Sequence, residues 1–181
     1  FVGGWALVGD RATRFPVSTP VAALRPTLTT RHALAVDPLE RLMHTSHGDM
    51  QPWQPWLPVA GVTLPVRAPI AVAARNATAW FAAAVDTSGF LQVLDWNSGW
   101  AMPRQISVRQ FHPRTKVAVA FGPAGQAHAA AADLANGQIF VMSWSPAGGA
   151  VTEAAVGTPT IAPFSQLALV QFGANRLQLF A

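Results

Sequence analysis

The sequence predicts an all-β protein: a β-propeller of about four repeated four-stranded antiparallel blades, open to being part of a larger ring. Three observations predict it. A module of about 48 residues recurs along the chain, its apolar runs are short and bounded by turn residues, and the first two runs of each module are apolar at nearly every position.

The repeat comes first. Segments 32–37, 81–86 and 128–133 align, each an apolar, alanine-bearing run closed by an aspartate. Asp37, Asp86 and Asp133 are 49 and 47 residues apart, and Val21, Ile70 and Val117 each stand 16 residues ahead of one of them. Equal offsets between segments of like character mark a repeat array.

A turn and a third apolar run follow each aspartate. The second module reads Asp86-Thr87-Ser88-Gly89 before 90–96, and the third reads Asp133-Leu134-Ala135-Asn136-Gly137 before 138–144. Ser-Gly and Asn-Gly between apolar runs are hairpin marks, because glycine supplies the positive φ of a tight turn. The first module has Asp37-Pro38-Leu39-Glu40-Arg41, a turn without the glycine. At such a position aspartate bonds backbone N–H groups two residues on, so the three aspartates read as structural.

The ends keep the same register. Segments 167–170 and 177–181 match the first two runs of a module, and Phe1-Val2-Gly3-Gly4-Trp5 overlays Trp96-Asn97-Ser98-Gly99-Trp100. The expected organisation is a single fragment-like repeat domain, 1–181. Its blade-like modules fall at 1–15 (partial), 19–61, 68–110, 115–157 and 164–181 (partial).

A helical repeat is the competitor. Alanine is the best helix former, and the run from Ala129 to Asn136 ahead of Gly137 resembles a helix with a glycine stop. Yet each run spans only five to eight residues, its equivalents are rich in Val, Phe, Trp and Leu, and fifteen prolines punctuate the chain. Those features specify strands. Continuous apolar character means that both faces are covered, as in stacked blades with more polar outer strands. A two-layer sandwich would not explain the equal spacing.

Composition narrows the function classes. The chain is 51% hydrophobic and 11% charged, which excludes a solvating tail. No apolar run reaches the 18 or so residues of a membrane-spanning helix, so no membrane insertion is expected. The net charge is +4, and eleven of the twelve basic residues are arginine. They are scattered except for Arg104, Arg109, Arg114 and Lys116, which read as a solvated loop between modules rather than a phosphate-binding patch. No nucleic-acid partner is expected. Without cysteine there is no disulfide or thiolate site, and no cofactor is implied. Phe1 opens the chain without a charged, signal-like start, which reads as a piece of something longer.

Tryptophans are the candidate ligand-binding residues. Trp5, Trp53, Trp56, Trp96, Trp100 and Trp144 recur near the third run and the turn after it. An indole offers a flat apolar face to a sugar ring and an N–H to a hydroxyl, although one Trp per blade can equally pack against its neighbour. His32 and His128 share a register position and read as polar residues lining a central channel. His44, His47 and Asp49 cluster locally without the spacing of a zinc site, so no metal site is assigned. Asp10, Glu40, Asp49, Asp95 and Glu153 lie outside the turn register with nothing to pair them. There is no nucleophile elbow or phosphate loop, so no catalytic residue is assigned and no enzyme is expected.

Leu94-Asp95-Trp96-Asn97-Ser98-Gly99-Trp100, the stretch Phe1 to Trp5, and Leu42-Met43-His44 followed by Trp53-Gln54-Pro55-Trp56 resemble bacterial and invertebrate propeller lectins of the tachylectin-like and fucose-lectin-like groups. The resemblance implies a multivalent glycan-binding propeller outside the cell or on its surface. Fucose binders of this kind pair an Arg with a Glu near the aromatic residue. Val93 and Val141 occupy the neighbourhood of that Glu here, so the resemblance does not extend to the fucose-holding pair.

The reading is therefore a carbohydrate-binding, lectin-like propeller that recognises glycans in Trp-lined inter-blade pockets. The alternatives are a protein-interaction or scaffold propeller domain of a larger secreted or surface assembly, and part of a propeller glycosidase. Further partners would be other segments of the same parent protein or a homo-oligomer.

Overall fold

Short runs of apolar residues between turn formers can bury both faces only as inner strands of stacked sheets. The computed structural model describes residues 13–181 apart from 77, 123, 124, 163 and 173–175, and it contains such strands in series. The first sheet holds β1 (Ala22–Leu24), β2 (Arg31–Val36), β3 (Arg41–His47) and β4 (Leu57–Thr63). The second holds β5 (Ala71–Ala74), β6 (Trp80–Val85), β7 (Leu91–Trp96) and β8 (Arg104–Gln105). The third holds β9 (Ala118–Phe121), β10 (Ala127–Ala132), β11 (Gln138–Trp144) and β12 (Thr152–Thr160), and β13 (Ala168–Phe172) pairs with β14 (Arg176–Phe180). Each sheet is a meander of sequential antiparallel neighbours, and no helix occurs among the described residues.

Val21, Ile70 and Val117 each stand one residue ahead of a first strand. These first strands lie against one another, β1 on β5, β5 on β9 and β9 on β13, so the sheets fan out from a common line. Within each strand, alternate side chains serve opposite neighbours. Leu34, Val36 and Leu42 of the first sheet pack on Trp80, Ala82, Ala84 and Leu94 of the second. The other face of the second sheet, with Phe81, Ala83, Val85 and Val93, packs on Ala127, Ala129, Ala131, Met142 and Trp144 of the third. Ala130 and Ile139 then turn the opposite way, towards Leu169 and Leu177. The alanines of β10 thus serve two interfaces at once, which a helix of the same composition would not allow. Burying each large side chain, such as Leu34 or Leu94, contributes roughly 1.5–3 kcal/mol.

One hydrogen-bond set recurs at the three turns between second and third strands. Asp37 Oδ1 accepts from the N–H groups of Leu39 and Arg41, Asp86 Oδ1 from Ser88 and Phe90, and Asp133 Oδ1 from Ala135 and Asn136. The carbonyls of Glu40, Gly89 and Gly137 accept from Leu64, Phe111 and Ile161 at 2.9, 2.7 and 2.8 Å, tying each turn to the chain beyond its fourth strand. All three carbonyl-bearing residues have positive φ: 62° at Glu40, 89° at Gly89 and 69° at Gly137. The turn that lacks glycine therefore adopts the same left-handed conformation with a glutamate.

Two sequence expectations change. Arg104 and Arg109 are not merely solvated. Arg104 Nη2 lies 3.8 Å from Asp95 Oδ2, while Arg109 donates to Glu153 Oε1 at 2.6 Å and its guanidinium sits 4.0 Å from the centre of the Phe140 ring. The reason is that Arg104 lies in β8, beside the β7 strand that carries Asp95, while the segment joining β8 to β9 brings Arg109 to Glu153 on the edge of the third sheet. His32 and His128 sit on second strands, facing the next sheet rather than a central channel, and each bonds a third-strand side chain, His44 at 2.9 Å and Ser143 at 2.8 Å.

Candidate functional site

The cross-strand pair Trp80 and Trp96 closes the end of the β6–β7 ladder, with the two rings stacked 5.2 Å apart. Trp80 sits at the start of β6 and is 2% exposed, its ring packed in the cluster that joins the first and second sheets. Half-buried Trp96 ends β7. Beyond this pair a cleft of about 370 Å³ opens between the second and third sheets, lined also by Arg75, Asp95, Asn97, Phe121, Gly125 and Ser145.

Each polar group reaches the cleft for a local reason. The β5–β6 connection is an Asx turn in which Asn76 Oδ1 accepts from the N–H groups of Thr78 and Ala79, while Arg75 N–H bonds Ala79 O at 2.8 Å. That turn aims the Arg75 side chain at the third sheet. There Gly125 has φ +77°, and a Cβ built on it would fall 2.6 Å from Arg75 Nη1. Only the absence of a side chain at position 125 lets the guanidinium lie where it does. Asp95 stands opposite Phe81 in the ladder one step inside the tryptophan pair. Burial pushes its carboxyl up from the usual range, and the Arg104 cation holds it back.

Among the described residues, Arg75 has no ion-pair or hydrogen-bond partner for its guanidinium, and the Asp95 carboxylate accepts no hydrogen bond. Donors and acceptors gathered in a concave site beside an aromatic face are the usual equipment of a small-molecule pocket. Asp95 is the one carboxylate among the cleft's described lining residues.

The six tryptophans singled out from the sequence are not brought together. Trp96 lines the cleft. Trp100 packs edge-on to Trp80, Trp96 and His44 on the first-sheet face of the second sheet, where the Trp80 and Trp96 rings also lie. Trp144 is 2% exposed and packs edge-on to Phe81, and buried Trp56 packs edge-on to Phe15. Trp53 stands beside His47 and lines a smaller hollow of about 230 Å³ with Arg25, Arg31 and His32. Trp5 lies outside the described residues. Sequence reasoning missed Trp80, Arg75 and Asp95 as cleft residues. The signal for Trp80 was its place at the start of a second strand, opposite Trp96; nothing local marks Arg75, because Gly125 acts on it from another sheet.

Neither a protein-family model nor a curated protein sequence matches the chain. Solved structures do resemble it. An arginine-to-alanine triple mutant of AofleA from Arthrobotrys oligospora superposes with a TM-score of 0.74 at 12% identity, over 92% of this chain and 50% of that one. A lectin from Burkholderia pseudomallei gives 0.70 at 23% identity over 92% and 49%. The fucose-specific lectin of Aleuria aurantia, a six-bladed β-propeller, gives 0.66 at 16% identity over 92% and 57%. At these identities the likeness shows the fold, and each four-stranded sheet is a blade of the propeller type. The chain spans about half the length of the structures it matches.

Proposed function

We propose that this chain is a glycan-binding, lectin-like part of a β-propeller, and that the cleft between the second and third sheets holds a sugar ring. One observation carries the reading: among the described residues neither the Arg75 guanidinium nor the Asp95 carboxylate has a hydrogen-bond partner, and both line a cleft that Trp96 and Phe121 border. A saccharide complements that set. Its C–H face can meet the aromatic border of the cleft, and its hydroxyls both donate and accept. The lectin neighbours support the same reading at the level of fold. Asp95 has no second carboxylate beside it among the cleft's described lining residues, which favours binding over the two-carboxylate chemistry of glycoside hydrolysis.

On this reading the modules 19–61, 68–110 and 115–157 are blades of a ring completed by further blades, and the partners are glycans outside the cell or on its surface. Equivalent clefts would multiply weak single-site affinity by avidity. Of the remaining candidate tryptophans, Trp53, Trp56, Trp100 and Trp144 take structural roles or serve other clefts, and Trp5 lies outside the described residues.

A broad glycan array probed with folded protein tests the proposal. Binding that is weakened in Arg75→Ala and in Asp95→Ala, with melting temperatures held within a few degrees, supports it. Silence across the array from a protein with a cooperative melt removes it.

A further inference from the structure

The geometry points to an acidic saccharide as the ligand of this cleft, held through its carboxylate by Arg75. This rests on the glycan reading above and narrows it. The charge balance of the lining is the first argument. Asp95 has its own counter-ion, Arg104, at 3.8 Å, whereas Arg75 has none among the described residues. The cleft therefore carries one uncompensated positive charge, in a chain whose net charge is +4.

The second argument is that the position of Arg75 is built. Its Nη1 and Cζ would stand 2.6 and 2.8 Å from a Cβ at residue 125, and the backbone there bends through φ +77° with Gly125 N–H bonded to Gly122 O at 2.9 Å. The guanidinium rests against bare backbone, so it loses less freedom when it takes a ligand than a side chain extended into solvent.

Chemistry then selects the partner. A guanidinium presents a planar fork that matches a carboxylate with two parallel charge-assisted hydrogen bonds, about twice as strong as those to a neutral hydroxyl. A neutral sugar would leave that fork half used. With the carboxylate on Arg75, the ring's apolar face can meet Phe121, and its hydroxyls are left for Asp95, Asn97 and Ser145. Asp95 does not repel the ligand as a free carboxylate would, because Arg104 opposes its charge from 3.8 Å.

The test compares methyl glycosides of glucuronate, galacturonate and N-acetylneuraminate with methyl glucoside and methyl galactoside, by titration calorimetry on the whole chain. The expected result is at least about tenfold tighter binding of one or more of the acids, from the extra charge-assisted bonds. That preference should shrink as salt rises from about 0.02 to about 0.5 M. Arg75→Ala should weaken the acids far more than the neutral sugars and so abolish the preference, and Arg75→Lys, which keeps the charge without the fork, should fall between. Equal affinity for acid and neutral sugars, or a preference that survives Arg75→Ala in a folded protein, overturns the inference and leaves the glycan reading standing. Binding of neither class by these sugars or on the array overturns both.

Discussion

Nδ1 of His32 lies 2.9 Å from Nε2 of His44, and the stacked pair is walled by Trp80 and Trp96, with Trp100 edge-on to His44. Two imidazoles one hydrogen bond apart in an aromatic enclosure share a proton as donor and acceptor. A second proton there would place a charge among indoles.

Burial lowers the His32 pKa, and burial together with the His32 charge pushes His44 down to about 4. Between pH 6.5 and about 4 the unfolded chain binds the proton that the folded chain refuses, so stability falls as the pH drops through that window and levels below it. His44 alone accounts for up to about 3 kcal/mol of this loss. Thermal melts from pH 7 to pH 4 should show a steep decline. His44→Val, which installs the residue found at the equivalent positions Val93 and Val141, should flatten it; an unchanged slope in the variant would refute the assignment.

Asp37 is the most heavily used of the turn aspartates. Its Oδ1 serves two backbone N–H groups, and its Oδ2 takes Arg41 Nε and Nη2 at 2.8 and 2.7 Å while the side chain is 4% exposed. Asp37→Ala leaves two donors unmet and should cost about 2–3 kcal/mol in urea unfolding with little change in m. Asp37→Asn keeps the Oδ1 acceptor and should recover about half of that. Equal costs for the two variants would mean that the backbone bonds carry little.

Much of this architecture was legible because the repeat reports on itself. The equal offsets from Val21, Ile70 and Val117 to the aspartates located first strands, and the unbroken apolar runs said that both faces were buried, as the alternate packing of Ala129 and Ala130 bears out. The His32–His44 pair was within reach too. Both residues lie on one face of a hairpin centred between Val36 and Leu42, and parity around the turn gives their proximity. The cleft was not legible. Arg75 is one scattered arginine until Gly125 of another sheet makes room for it, and a sequence does not show which loops converge.

Positive φ at Glu40 and Gly137 gives a matched pair of tests. Glu40 holds φ 62° with a side chain, a conformation that costs a non-glycine residue about 1 kcal/mol. Glu40→Gly should therefore stabilise the fold by about 0.5–1 kcal/mol. Gly137→Ala meets a steric obstacle as well, because its Cβ would overlap the carbonyl oxygen of Ile161. It should cost about 3 kcal/mol or more, whereas Gly148→Ala, with φ +105° and open space, should cost only the conformational part, about 1–2 kcal/mol. Similar losses at 137 and 148 in denaturant titrations would contradict this account.

Arg109 fastens the segment after β8 to the third sheet through Glu153 at 2.6 Å, Asp133 at 3.9 Å and the Phe140 ring. Its side chain is 45% exposed, so solvent screens the ion pairs and each is worth less than about 1 kcal/mol. Stacking on Phe140 adds about 0.5–1 kcal/mol that salt does not remove. Arg109→Lys should keep most of the ion-pair part and lose the stacking. Its deficit against the parent should therefore persist between about 0.05 and 0.5 M salt, and a deficit that vanishes at high salt would assign the whole effect to charge.

Trp100 separates packing from binding. Its ring is wedged against Trp80, Trp96 and His44, and its buried Nε1 has no acceptor among the described residues. An unmet buried donor costs about 1–3 kcal/mol, so Trp100→Phe gives up contact area but also removes that penalty, and it should fall within about 1 kcal/mol of the parent. Trp100→Ala leaves a hole beside the histidine pair and should cost about 3 kcal/mol or more. Neither change touches the cleft lining, so sugar affinity in Trp100→Phe should match the parent, while Arg75→Ala should weaken it. Loss of binding in the folded Trp100→Phe protein would move the site to the other face of the second sheet, between Trp100 and the His32–His44 pair.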